Sequence, residues 1–330
     1  MKTRKLGANG PIVSAIGLGC MGMSDLYGAS DRTESVATIH AALDACVTLL
    51  DTGDFYGMGD NEMLIADALR GRPRDAALLS VKFGAQRDPD GNWIGFDGRP
   101  SAVKTSLAYS LKRLQADHLD IYRPARLDPN VPIEETIGAV ADMVKAGYVR
   151  FIGLSEVGPE MIRRAVAVHP IADLQIEYSL ISRGIEKSIL PTCRALGVGI
   201  TAYGVLSRGL ISGHWRADKQ TGAGDFRVTV PRFQGANLEK NLSLVDEIRR
   251  IADARGASVA QIAIAWVLSR GDDIVPLIGA RRRDRLAESL GALSLTLDRE
   301  ELAALESIAA SVAGARYSAA QMAHLDSERS

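Results

Sequence analysis

Eight short apolar runs alternate with segments of helical periodicity along almost the whole chain, and this alternation restricts the possible folds more than any other feature. The apolar runs occupy residues 14–19, 47–52, 77–84, 119–124, 148–155, 172–179, 198–203 and 273–280. The helical segments occupy about 32–46, 61–70, 101–115, 133–146, 159–168, 184–196, 239–269 and 283–290. Strands that alternate with helices form βαβ units with a parallel sheet, and eight such units predict a (β/α)8 TIM barrel.

No linker rich in Pro, Gly or Ser divides the repeats, so residues 1–330 are predicted to form a single (β/α)8 barrel domain. The Asn9-Gly10 turn joins two short extended runs before the first unit. It predicts an N-terminal β-hairpin at the bottom of the barrel. An extra C-terminal helix is predicted at about 298–311. The longest insertion, about 207–237, is expected on the catalytic face, because long loops on compact domains are usually lids or binding loops.

The composition limits the partners of this chain. Its 330 residues are 46% hydrophobic with a formal net charge of −1, which argues against nucleic acids and membrane surfaces as partners. No signal peptide or transmembrane segment is predicted. The widely spaced Cys20, Cys46 and Cys193 indicate reduced thiols and a cytoplasmic location. No spacing of Cys or His predicts a metal site, and the sequence leaves monomer and homo-oligomer equally open.

The stretch GLGCMG, residues 17–22, has the G-x-G-x-x-G pattern of a dinucleotide-binding Rossmann fold. That fold needs a helix to begin at the last glycine, so that the helix N-terminus holds the pyrophosphate. Here a loop follows Gly22, and the next helical segment begins only after Asp31. Asp51 also lies further along the chain than the usual spacing of about 20 residues. A glycine-lined loop after the first barrel strand therefore fits better than the Rossmann interpretation.

Three polar side chains are predicted to meet at the carboxyl ends of neighbouring strands. Asp51 ends the second strand, Tyr56 lies in the loop after it, and Lys82 ends the third strand. Asp51 would keep Lys82 charged, and a nearby ammonium lowers the pKa of a tyrosine from its usual value of about 10. Such a unit can protonate a carbonyl oxygen during hydride reduction. The alternative is a rim salt bridge beside a surface tyrosine.

At these motifs the sequence resembles the aldo-keto reductase superfamily, in particular its bacterial and plant branch with the opening GLGCMGMS. The resemblance spans nearly the whole chain. It implies a (β/α)8 barrel that binds NADPH without a Rossmann domain, and a catalytic tetrad of Asp, Tyr, Lys and His. Asp51 and Tyr56 match the motif DT…YG, and Lys82 matches KFG.

The same resemblance implies a set of cofactor-binding residues. They are Gly22, Met23, Ser155, Glu156, Gln175, Tyr203, Gly204, Leu206, Ser207, Gly209, Gly279, Arg281, Arg282, Arg285, Glu288 and Ser289. Ser155 and Gln175 would hold the nicotinamide carboxamide, and Tyr203 would stack on the ring. Glu156 and Ser289 stand where family members commonly have Asn.

The arginines at 281, 282 and 285 form the predicted site for the 2′-phosphate, which favours NADPH over NADH by charge. The alternative for this cluster is a solvated helix start.

The family motif Y-x-x-H-R at the end of the fourth strand aligns with YRPAR here, so Ala125 takes the position of the tetrad His. Ala125 is either an engineered substitution or a native residue to which the pocket has adapted. The unusual residues next to it favour the native explanation. His118 lies seven residues upstream, roughly 23 Å away in an extended strand. His40 and His169 are expected to be structural. His214 lies in the long loop and remains a candidate to replace the tetrad His.

Arg123 shares a strand face with residue 125 and is predicted to point into the barrel layer beneath it. A buried guanidinium requires carboxylate partners. The candidates that the sequence offers are Asp51, Glu156 and Glu177.

These observations predict an NADPH-dependent oxidoreductase that reduces aldehyde or ketone carbonyls of small molecules, with Tyr56 as proton donor. The predicted substrate pocket comprises Tyr27, Trp93, Ala125, Arg126 and the long loop. Because the tetrad His is missing, an NADPH-binding sensor or partner subunit with little turnover is the alternative. A Schiff-base aldolase using Lys82 is disfavoured, since the cofactor residues would then lack a role.

Overall fold

Eight parallel strands close into a barrel in a computed structural model that describes residues 1–24, 26–216, 218 and 224–329. The strands of the chain are β1 (Thr3–Lys5), β2 (Ile12–Ser14), β3 (Gly17–Gly19), β4 (Leu49–Gly53), β5 (Leu78–Phe83), β6 (Ala85–Arg87), β7 (Trp93–Phe96), β8 (Leu119–Pro124), β9 (Val149–Ser155), β10 (Ile171–Glu177), β11 (Gly199–Tyr203) and β12 (Ile274–Gly279). The barrel runs β3-β4-β5-β8-β9-β10-β11-β12 and closes by pairing β12 with β3. The predicted (β/α)8 fold is confirmed.

Helices follow the barrel strands and cover the outside of the cylinder. They are α1 (Arg32–Asp44), α2 (Asp60–Leu69), α3 (Pro100–Leu114), α4 (Ile133–Lys145), α5 (Pro159–Val168), α6 (Ile189–Leu196), α7 (Gly235–Ala254), α8 (Val259–Leu268), α9 (Arg283–Leu290), α10 (Arg299–Ala309) and α11 (Ala319–Ala323). The extra C-terminal helix predicted at about 298–311 is α10.

The single helix predicted at 239–269 is wrong, because the chain forms two helices, α7 and α8, that meet at 86°. Gly256 between them has a φ of +58°, in the left-handed region that ends helices. Ser258 then starts α8 through a capping box with Gln261, in which each side chain bonds the other's backbone N–H. In the described part of the chain no single helix is long and apolar enough to cross a membrane. Among those residues, only this bent pair of helices, taken together, has the length and apolar composition of a span.

The N-terminal hairpin of β1 and β2 lies at the bottom of the barrel, as predicted. Leu6 and Val13 pack inside the lower barrel with Leu49, Ile121 and Val275. The connection between the strands spans residues 6–11 and is longer than the two-residue turn that the sequence predicted. This apolar plug leaves the opposite, carboxyl end of the barrel as the open end.

The register of the strands brings the predicted catalytic residues to that carboxyl end. Asp51 pairs with Ser80, and Lys82 on the same strand as Ser80 pairs with Arg123 on β8. Side chains two residues apart on a strand share a face, so these four side chains point into the barrel in two successive layers.

Candidate active site

Asp51 and Lys82 form a buried ion pair inside the upper barrel, with side chains 6% and 7% exposed. The ammonium of Lys82 bonds to Oδ1 of Asp51, and Oδ2 accepts from Ser80 Oγ at 2.9 Å and from Gln175 Nε2 at 2.7 Å. Burial lowers the pKa of Lys82, and the Asp51 carboxylate opposes this shift. The predicted partnership of Asp51 and Lys82 is therefore present.

Tyr56 begins a short 3-10 turn just after β4, and its ring centroid lies 5.3 Å from the Lys82 ammonium nitrogen. The Phe55 ring packs edge-on against it at 4.7 Å. Burial raises the pKa of the Tyr56 hydroxyl well above its ordinary value, with Asp51 adding to the shift, while Arg126 acts in the opposite direction. The net direction is opposite to the lowering that the sequence predicted, because burial and the Asp51 charge outweigh the nearby cations.

Ala125 is 2% exposed and follows the end of β8, where its backbone N–H donates to the carbonyl of Phe83 at 2.8 Å. Its methyl group has no hydrogen-bond donor to offer a ligand. The next residue, Arg126, turns back over it, since Nη1 donates to the Ala125 carbonyl at 2.6 Å and to Ser155 Oγ at 3.2 Å. A guanidinium therefore lies beside the position where the family places an imidazole.

The histidines have other partners in the described structure. His118 contacts Asp117 at the amino end of β8, the end opposite to Ala125, as predicted. His40 and His169 contact backbone carbonyls. His214, the candidate replacement from the long loop, contacts Glu288 at 2.8 Å and also Arg285. These partners place His214 at the predicted 2′-phosphate end of the site. They argue against His214 as the fourth member of the tetrad.

Arg123 is fully buried in the barrel, as predicted, but its carboxylate partner is Asp173 on β10 at 2.9 Å. The candidates Asp51, Glu156 and Glu177 were wrong as direct partners. Arg123 Nη2 also donates to Ser80 Oγ at 2.9 Å, and Ser80 in turn donates to Asp51. The strand twist of a barrel decides which side chains meet across its interior, and a sequence pattern does not show it.

Glu156 has a different environment from the one that the family motif implies. Its carboxylate oxygens accept from the Tyr203 hydroxyl, from Ser327 Oγ, from the Glu177 backbone N–H and from both terminal nitrogens of Arg316. Burial alone would raise the pKa of Glu156, but Arg316 lowers it to about 2. These contacts make Glu156 an anchor for the C-terminal segment and weigh against the predicted cofactor contact.

The C-terminal segment after α10 reaches the catalytic end, which the sequence interpretation missed. Tyr317 lies with its hydroxyl 3.0 Å from that of Tyr203, and the Arg208 guanidinium lies 4.3 Å from the Tyr317 ring. Arg316 also bonds to Glu177 at 3.3 Å. No periodic pattern marks these residues, and only their position after the last predicted helix distinguishes them.

The loop after β11 carries four of the predicted cofactor residues, Gly204, Leu206, Ser207 and Gly209. Gly204 and Gly209 have φ values of +66° and +96°, and Ser207 has φ of +45°. A non-glycine residue in the left-handed region is uncommon, and such strain clusters at ligand sites. Arg208 in the same loop, also left-handed, bonds to Glu177 at 2.9 Å. Residues 217 and 219–223 of the predicted 207–237 insertion lie outside the described residues.

The predicted 2′-phosphate residues lie around the start of α9. Arg281 donates to the carbonyls of Tyr27 and Ala29 at 3.2 and 3.1 Å. Arg282 pairs with Asp284 and Arg285 with Glu288, and all three arginines keep exposed surface.

Three further predicted cofactor residues, two of them buried and the third exposed, lie near the barrel end. Ser289 is 3% exposed and donates to its own helix at Arg285 O, which weighs against its predicted role. Met23 is also buried, while a side chain at Gly279 would meet nothing within 4 Å.

Aromatic side chains line the rim of the site. Trp93, 50% exposed on β7, packs against Phe55 at 5.6 Å, and Phe55 contacts Tyr56. On the other side Tyr27 packs against Phe226 of the long loop at 5.3 Å, and a side chain at Gly22 would approach the Tyr27 ring within 3.3 Å. Trp93 therefore reaches Tyr56 through Phe55, while Arg126 and Tyr27 act on the Tyr56 hydroxyl electrostatically. Within the residues that the structure describes, no group of His, Cys, Asp or Glu is arranged to hold a metal ion.

Comparison with known proteins identifies the family of this barrel. Residues 15–310 match the profile of the Aldo/keto reductase family. The chain belongs to the aldo/keto reductase family. It is 39% identical over 318 residues to probable aldo-keto reductase 1 of Glycine max, covering 95% of this chain and 91% of that protein.

Solved structures of aldo-keto reductases have the same architecture. A glycerol dehydrogenase from Gluconobacter oxydans superposes with a TM-score of 0.85 at 30% identity, covering 94% of this chain and 95% of that one. An aldo-keto reductase from Bacillus halodurans, in its holo form, gives a TM-score of 0.76 at 26% identity, covering 97% and 99%. This aldo/keto reductase is therefore an oxidoreductase of a family that acts on small-molecule carbonyls with nicotinamide cofactors.

Proposed function

We propose that this protein is an NADPH-dependent reductase of aldehydes or ketones, with Tyr56 as the general acid. The observation that carries the proposal is the buried Asp51–Lys82 pair beneath the Tyr56 ring at the open end of the barrel. The three free cysteines are compatible with action in the reducing cytoplasm.

The donor chemistry of the site fits a nicotinamide dinucleotide. Ser155 and Gln175 lie opposite each other on β9 and β10 and offer a hydroxyl and an amide to a carboxamide. Tyr203 offers an aromatic ring nearby, and Arg281, Arg282 and Arg285 offer guanidinium groups that suit a phosphate. When bound, the cofactor supplies a hydride to the carbonyl carbon.

Tyr56 supplies the proton. The electron pair of the C=O bond moves onto oxygen as the hydride arrives, and the Tyr56 hydroxyl gives that oxygen its proton. The raised pKa of Tyr56 keeps the hydroxyl protonated through neutral pH, which an acid requires. Lys82, held by Asp51, stabilises the phenolate that remains until solvent returns the proton.

Steady-state oxidation of NADPH with a panel of aldehydes and ketones tests this function. Turnover of a carbonyl compound with saturation kinetics supports the reductase function. The missing His favours a second candidate, an NADPH-binding protein with little turnover, because Ala125 donates no hydrogen bond to a carbonyl. NADPH binding, measured by fluorescence, without turnover of any compound would support that candidate instead.

Arg285→Ala is expected to weaken NADPH binding by about tenfold to a hundredfold and to leave NADH binding nearly unchanged, because a charged hydrogen bond to the 2′-phosphate is lost. Arg283→Ala is the matched control, since Arg283 lies on the same helix but pairs with Glu34. Titration of both cofactors by fluorescence measures the effect. Equal losses for NADPH and NADH would show that Arg285 does not contact the 2′-phosphate.

Ala125→His is expected to raise kcat by less than about tenfold, although a preorganised donor to a developing oxyanion is generally worth about 10²–10³. The reason is Arg126, whose guanidinium already lies against the Ala125 carbonyl and would stand beside an added imidazole. Ala125→Leu controls for bulk without a donor. A rise of about a hundredfold in the His variant would instead indicate an engineered loss of the tetrad His.

A further inference from the structure

Among the residues that the structure describes, Arg126 differs from the other arginines of the catalytic end in lacking a carboxylate partner. Arg208 bonds to Glu177 at 2.9 Å, Arg232 lies 3.8 Å from the same carboxylate, and Arg316 bonds to Glu156 at 2.7 Å. Within the described part of the chain, no carboxylate oxygen lies within 4.0 Å of the Arg126 guanidinium. Its hydrogen bonds to described residues go to two neutral oxygens, the Ala125 carbonyl and the Ser155 hydroxyl, and both use Nη1.

The charges around Arg126 do not balance. Four guanidinium groups, Arg126 with the three partnered arginines, face three carboxylates, Glu156, Glu177 and Glu328, so the cluster carries an excess of one positive charge. Glu156, the carboxylate whose charge acts on Arg126, already accepts from five donors. A partly buried cation without a partner is costly, so an anion supplied by a ligand would be strongly favoured there.

The position of Arg126 indicates which ligand supplies the anion. The guanidinium is bonded to Ser155 at the end of β9, and its charge acts on both Tyr56 and Lys82. The arginines proposed above for the 2′-phosphate lie elsewhere, around the start of α9. An anion that reaches Arg126 is therefore attached to the molecule whose carbonyl meets Tyr56.

We propose that Arg126 binds a carboxylate of the substrate, so that the enzyme prefers carbonyl compounds that also carry an acid group: oxo acids and aldehyde acids. This inference rests on the proposed reductase function and names its substrate class. Nε and Nη2 of this guanidinium have no hydrogen-bond partner among the described residues, and this edge suits a bidentate carboxylate, which binds more tightly than a neutral ester. The positive charge also disfavours cationic substrates at the same site.

The test compares matched substrates that differ only in the acid group. The wild-type protein, Arg126→Met and Arg126→Lys are assayed by NADPH oxidation with 3- and 4-carboxybenzaldehyde and with their methyl esters. For Arg126→Met we expect kcat/KM of at least one acid to fall by about tenfold to a hundredfold more than that of its ester, mainly through KM. Arg126→Lys should retain part of the preference, because it keeps the charge but loses the planar fork.

The ester is an internal control for folding, since an unfolded variant would lose both reactions. Arg164→Met removes a charge from α5 outside the barrel, where Arg164 pairs with Glu134, and should leave the ratio of acid to ester unchanged. Equal losses for acid and ester in Arg126→Met, or a loss of NADPH affinity in a fluorescence titration, would overturn the inference while the reductase function stands. Turnover of no carbonyl compound by the wild-type protein would instead remove the proposed function itself.

Discussion

Tyr56→Phe is expected to lower carbonyl reduction by about 10²–10⁴-fold while leaving NADPH affinity nearly unchanged, because only the proton donated to the substrate oxygen is lost. The ring remains, so its packing against Phe55 and over Lys82 is preserved. Single-turnover and steady-state rates of NADPH oxidation measure the loss, and a fluorescence titration measures cofactor binding.

Tyr109→Phe is the control for this substitution, since Tyr109 is 60% exposed on α3 outside the site. Near-normal turnover of the Tyr56 variant would show that another group is the acid. His214 is then a poor substitute, because its imidazole is engaged with Glu288 and Arg285. A water molecule would become the candidate proton donor.

Arg123→Met is expected to lower the free energy of unfolding by about 3–5 kcal/mol, because it leaves the Asp173 carboxylate buried without its charge partner. Asp173 is fully buried, and its other hydrogen bond from a described side chain comes from the Thr201 hydroxyl. Urea unfolding followed by circular dichroism gives the free energy, provided that the transition is two-state.

The double variant Arg123→Met/Asp173→Leu is the decisive control. Replacing both members of a buried ion pair by apolar residues is often neutral or stabilising, so the double variant should recover most of the lost stability. A double variant as unstable as Arg123→Met would show that the loss comes from the bond between Arg123 and Ser80, which in turn holds Asp51. The outcome therefore separates core stability from the positioning of the catalytic pair.

The pattern of short apolar runs and helical segments was sufficient to predict the barrel. Strand and helix positions depend on local periodicity, and each predicted strand lies within a few residues of the observed one, as β8 at Leu119–Pro124 shows. Asp51 and Lys82 were also predictable, because residues at the carboxyl ends of adjacent parallel strands must meet. The predicted helix at 239–269 failed because apolar periodicity continued across the break at Gly256.

The sequence by itself determined the (β/α)8 architecture, the Asp51–Lys82 pair and the absence of a histidine at position 125. Only the tertiary structure decided the partner of Arg123, the role of Glu156 and the position of Arg126 over Ala125. Those contacts join strands and segments far apart in sequence, and barrel twist and the path of the C-terminal segment determine which side chains meet. Charge pairing across such distances leaves no periodic trace in the chain, so only the folded structure shows that Arg126 lacks a carboxylate partner among the described residues.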